Sequence, residues 1–176
     1  MSVKNYYPGK PIIPFFVKKL DMGAVVAALK NLPYNKEVKR SAYAIMRTET
    51  ANLNSVINGT NFCGAQSDSG KWPDKWDNHI VATCNKNENM TGRERGFVVF
   101  DTIESGLSFL CERVQAKGIF IGENVDGKYY KGDVKTPDQN ATAYVDEWVM
   151  GETIPATTSQ IKDWESIYKQ ASTIFT

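Results

Sequence analysis

The chain has 176 residues, 41% hydrophobic and 23% charged, enough for one folded domain with a substantial core. Lys plus Arg number 21 and Asp plus Glu 20, a formal net charge of +1, which argues against nucleic acid as a partner because phosphate-backbone binding draws on surplus cations. No apolar run is long enough for a membrane span, and the first eight residues, Met1-Ser-Val-Lys-Asn-Tyr-Tyr-Pro8, lack the apolar core of a secretory signal. The expectation is therefore a protein that stays in the cytosol or reaches its target by lysis, virion delivery or dedicated export.

Residues 1–20 carry Pro8, Pro11 and Pro14 among aromatics, which predicts an extended arm. Asp21 is placed to cap a short helix from Met22 to Leu32, ended by Pro33. Asn35 opens a second helix running to about Thr50. Its apolar positions Val38, Ala42, Ile45 and Met46 follow helical spacing, and the half from Ala42 to Met46 is apolar nearly all round, as in a buried central helix. Glu49 lies seven residues after Ala42 on the same face, so it is expected at a buried edge at the helix end.

Helical periodicity is lost from 51 to 100, where Asn, Gly, Asp and Lys dominate. Short strands are expected at Phe62–Gln66 and Phe97–Phe100, and a loop at Asn85–Gly92. Asp101-Thr-Ile-Glu104 has the pattern of a capping box opening a helix to about Lys117. Gly118, Gly122, Gly127 and Gly132 punctuate a loop, a fourth helix covers about Gln139 to Met150, and a last helix starts near Thr158. The predicted fold is mainly α, a single domain over 1–176 with a small β-rich or irregular lobe after the central helix.

Three segments carry a family resemblance: Ala44 to Thr50, Asn61-Phe-Cys-Gly-Ala-Gln66, and Phe97-Val-Val-Phe-Asp-Thr-Ile-Glu-Ser-Gly106-Leu. Their order and spacing resemble the lysozyme-like superfamily, especially bacterial and phage glucosaminidases and muramidases, over about residues 35 to 117. Ala51 departs from that pattern, standing where the family often has Gly. A late Tyr-Ala-Thr-Asp motif is matched only by Ala143-Tyr144-Val145-Asp146. The resemblance implies a lysozyme-like fold, cleavage of peptidoglycan glycan strands, Glu49 as general acid, substrate contacts from Asn61, Gln66 and Tyr144, and no metal or organic cofactor.

A carboxylate at a helix C-terminus faces the negative end of the helix dipole, which favours its protonated form, as a general acid requires. Asp68, Asp74 and Asp77 are candidates for a second carboxylate, unless the substrate's own N-acetyl or hydroxyl group replaces it. Trp72, Trp76, Tyr129, Tyr130 and Tyr144 are rings in or near non-helical segments on which sugars can stack, Trp72 first among them. The alternatives are a non-catalytic glycan- or protein-binding component of a phage or secretion apparatus and a peptidase or amidase using Cys63 and His79. A Ser-His-Asp site would also have to use His79, the only histidine. The three cysteines are expected as reduced thiols, with a Cys63–Cys84 bridge the alternative in an oxidising space.

Overall fold

Helix starts follow the side chains that can cap them. In the computed structural model, Asp21 Oδ1 accepts from the Ala24 amide at 2.8 Å and opens α1 (Met22–Asn31). Asn35 Oδ1 accepts from the Val38 amide at 2.9 Å and opens α2 (Lys36–Glu49). The structure describes residues 7–68, 72–89, 91–123, 133–150 and 156–176, excluding the side chain of Met150. Of the described residues 49% are helical and 15% strand, so the chain is mainly α with a small mixed sheet. No helix among the described residues is long and apolar enough to cross a membrane. The chain divides into two compact units, residues 1–29 with 49–109, and residues 30–48 with 110–176.

The first unit holds the strands. Part of the N-terminal arm is extended, as expected, and contributes β1 (Ile12–Ile13) and β2 (Val17–Lys18). β1 runs parallel to β4 (Ile80–Asn87), and β4 pairs antiparallel with β5 (Glu94–Phe100). β2 pairs antiparallel with β3 (Val56–Ile57). Ala82, Cys84 and Val99 form a core against which Ile13, Phe15, Ile57 and Phe97 pack. The expected loop at Asn85–Gly92 begins too early. Asn85, Lys86 and Asn87 continue β4 because Gly96, Arg95 and Glu94 stand opposite them in the hairpin. Phe62–Gln66 is not a strand. Only Asn61 and Gln66 make single bridges, to Ile57 and Phe97.

The helix α3 (Ile103–Lys117) is capped by Thr102, not by the expected Asp101 box: Thr102 Oγ1 accepts from the Ser105 amide at 3.0 Å. Its first turn lies directly on the Thr60 carbonyl. A Cβ at Gly106 would come within 1.9 Å of that oxygen, so only glycine fits.

In the second unit, α4 (Pro137–Tyr144) starts two residues before the expected Gln139, with Pro137 in its first turn, and passes into a π-helical turn, Val145–Met150. α5 (Thr158–Ile174) opens on a full capping box between Thr157 and Gln160. Asn140 is fully buried, and its Oδ1 accepts from Ser41 Oγ at 3.1 Å and Trp164 Nε1 at 3.0 Å. Tyr168 donates to Glu37, which also accepts from Arg40 at 2.6 Å, while Arg40 Nε donates to the Phe175 carbonyl at 2.9 Å.

Candidate active site

Glu49 is the last residue of α2. The helix is buried at Val38 and from Ser41 to Met46, and it reaches solvent over its final turn, where Thr48 and Glu49 are exposed. The expected buried edge is therefore an exposed helix end. The physical reason is the turn that follows. Ala51, Asn52 and Leu53 all have positive φ, +49°, +56° and +64°, three left-handed residues in succession, none of them glycine. Each left-handed L-residue costs about 1–2 kcal/mol.

Local bonds hold this turn in place. Buried Thr50 accepts the Leu53 amide on Oγ1 at 2.9 Å and the Ser55 amide on its carbonyl at 2.9 Å. Leu53, fully buried, accepts the Leu20 amide on its carbonyl at 3.0 Å. Ala51 thus stands where the backbone conformation favours glycine.

Asn61 is 1% exposed, and its amide is fully used inside the first unit. Nδ2 donates to the carbonyls of Ala65 at 3.0 Å and Val98 at 2.9 Å, while Oδ1 accepts the amides of Cys63 and Ala65. It shapes the 61–65 turn and, in this conformation, presents no group to a substrate. Trp72, expected as a stacking platform, is instead 7% exposed. Its Nε1 donates to Tyr7 Oη at 2.8 Å, and its ring meets Phe109 edge-on at 5.0 Å, within a cluster that includes Trp76 and Phe100. The 3-10 turn Asp74–Asn78 after Pro73 lets both tryptophans face this cluster.

Tyr144 belongs to the second unit, is 6% exposed and stacks on Trp164 with centroids 4.6 Å apart. Tyr129 and Tyr130 lie outside the described residues.

Gln66 lines a cleft of about 410 Å³ with Lys86, Glu88, Thr91, Arg95 and Phe97. The sequence did not single out Arg95, yet it organises this wall. Its guanidinium donates to Gln66 Oε1, to Asp68 at 3.1 Å and to Glu88 at 3.2 Å. Asp68 is thereby ion-paired. Asp74 and Asp77 are exposed, and Asp77 accepts from Tyr7 Oη at 2.8 Å.

His79, Asp101 and Ser105 do meet, at the start of α3. Both Asp101 Oδ2 and Ser105 Oγ lie 3.3 Å from the same ring nitrogen, Nδ1. A triad needs the acid on one ring nitrogen and the nucleophile on the other, so this cluster does not have triad geometry. Burial raises the Asp101 pKa, but hydrogen bonds from Ser105 and His79 outweigh it and hold the carboxyl below its ordinary range. Cys63, Cys84 and Cys111 are buried free thiols. Burial pushes Cys84 up to about 11 and Cys111 up to about 12, away from reactive thiolates. No group of three or more His, Cys, Asp or Glu that could hold a metal occurs among the described residues.

Compared with protein-family models, curated protein sequences and solved structures, the chain matches none.

Proposed function

We propose that the protein cleaves the glycan strands of peptidoglycan, with Glu49 as general acid. The observation that carries this reading is the end of α2. An exposed carboxylate sits on the last residue of a buried helix, next to three consecutive left-handed residues. Strained backbone held by its surroundings is characteristic of sites whose geometry must be fixed. Here the stiff helix and the pinned turn fix the carboxylate from both sides while leaving it open to a substrate. A general acid at this position acts from its protonated form. That is the form that gives a proton to a departing glycosidic oxygen. The sequence resemblance around Glu49, Asn61–Gln66 and Phe97–Gly106 supplies the substrate class.

In this reading Gln66 is the remaining polar substrate contact in the first unit, because the Asn61 amide is already saturated and Trp72 is core. With Asp68 paired to Arg95, the second step falls to another group, such as the substrate's own N-acetyl oxygen. Mass spectrometry of purified peptidoglycan after incubation with the protein tests the proposal. New reducing ends indicate hydrolysis and anhydro ends indicate transglycosylation. Freed peptides, or an unchanged glycan, would refute the reading.

A further inference from the structure

The second unit carries a basic cavity that plays no part in the proposed reaction. It measures about 350 Å³ and is lined by Lys30, Tyr34, Lys36, Lys39, Ile174, Phe175 and Thr176. Three lysines line it, and no aspartate or glutamate does. Lys36 and Lys39 stand one helical turn apart on α2 and face the same way. Lys39 Nζ donates to the Lys30 carbonyl at 2.6 Å, which ties Lys39 to Lys30 and leaves Lys39 two further donors.

The nearest acid in sequence, Glu37, is already used by Arg40 and Tyr168. Among the described residues, no ion pair links Lys30, Lys36 or Lys39 to a carboxylate. Like charges gathered in one concavity repel one another, and an anion there relieves the repulsion.

We infer that this cavity is a binding site for a phosphoryl group. Three point charges, one from Lys30 and two from the same face of α2, suit a tetrahedral, multiply charged oxyanion. A planar carboxylate with one charge is better matched by the arginine fork, which is absent from the lining. The volume admits a phosphate or pyrophosphate together with part of the molecule that bears it.

The test is a titration of the full chain at fixed ionic strength with sodium pyrophosphate, and in parallel with sodium acetate, followed by backbone amide NMR shifts. Pyrophosphate is expected to bind saturably, with the largest shifts at Lys36, Lys39 and Phe175, and acetate not to saturate. Lys30→Gln and Lys36→Gln, both exposed positions, should each weaken pyrophosphate binding about tenfold, the usual weight of one charge-assisted hydrogen bond. Lys162→Gln, an exposed lysine on α5 outside the cavity, removes the same charge and should change affinity less than twofold.

A glycerol-phosphate polymer added as competitor separates the sources. Displacement of pyrophosphate points to a polymer phosphate and no displacement to a small phosphorylated molecule. Unsaturable binding, equal response to acetate, or an equal loss in Lys162→Gln would overturn the inference. Should a variant fail to fold, the location of the shifts in the unaltered protein decides.

Discussion

At its N-terminus α2 starts on a single side-chain cap, Asn35 to Val38, with no positive φ among the residues around it. At its C-terminus the chain leaves through Ala51, Asn52 and Leu53, each left-handed. Many helices stop on one left-handed glycine, which carries no steric cost. This one stops on three L-residues whose strain, about 1–2 kcal/mol each, must be offset by the bonds to Thr50 and Leu20 and by burial of Leu53. The first end is built only to begin a helix. The second holds a strained backbone path beside Glu49, and the proposed function reads that asymmetry as the difference between a structural terminus and a functional one.

The largest expected effect follows from removing the proposed acid. Glu49→Gln keeps the shape and loses the proton, so glycan cleavage should fall by about 10²–10⁴-fold. The thermal midpoint should barely move, because the side chain is exposed. Activity retained within about tenfold would make the strained end an architectural feature only.

Next in size is Leu53→Ala. The side chain is fully buried, and truncating such a leucine costs about 2–5 kcal/mol. Urea unfolding should show a lower midpoint at unchanged slope. Activity should fall as well, since the turn that fixes Glu49 loses its anchor. A loss of less than about 1 kcal/mol would mean the left-handed turn is held by its hydrogen bonds alone.

Asn35→Ala probes the other end. It removes the cap on Val38 and should cost about 1 kcal/mol of stability, with cleavage unchanged at saturating substrate. If cleavage fell tenfold in a still-folded protein, the two ends would not be functionally distinct.

What could be read in the sequence divides along similar lines. The starts of α1, α2 and α5 were legible to within a residue, because a cap is a bond between neighbours in the chain. Features set by distant partners were not. Asn85, Lys86 and Asn87 have no strand preference of their own, and only the opposing Gly96, Arg95 and Glu94 make them one. Trp72 looked like a loop ring because Phe109, on which it packs, lies 37 positions later in a helix. Asn61 has the composition of a ligand contact, yet its four bonds to Cys63, Ala65 and Val98 use it up. The exposure of Glu49 was hidden for the same reason: helical period alone cannot register that the helix leaves the interior in its last turn.

The smallest effect is the most direct test of strain. Ala51 has φ +49°, a conformation in which glycine avoids the clash between Cβ and the backbone. Ala51→Gly therefore removes about 1–2 kcal/mol of native-state strain. It also gives the unfolded chain more freedom, which takes back about 0.4–1 kcal/mol. The two terms oppose one another, and the balance favours the variant by about 0–1.6 kcal/mol, a rise in Tm of at most about 6 °C. Cleavage should stay within a few-fold, since Thr50 and Leu53 still pin the path of the chain. A clear drop in Tm would show that Ala51 is relaxed as it stands. The difference between the two ends of α2 would then rest on Asn52 and Leu53 alone.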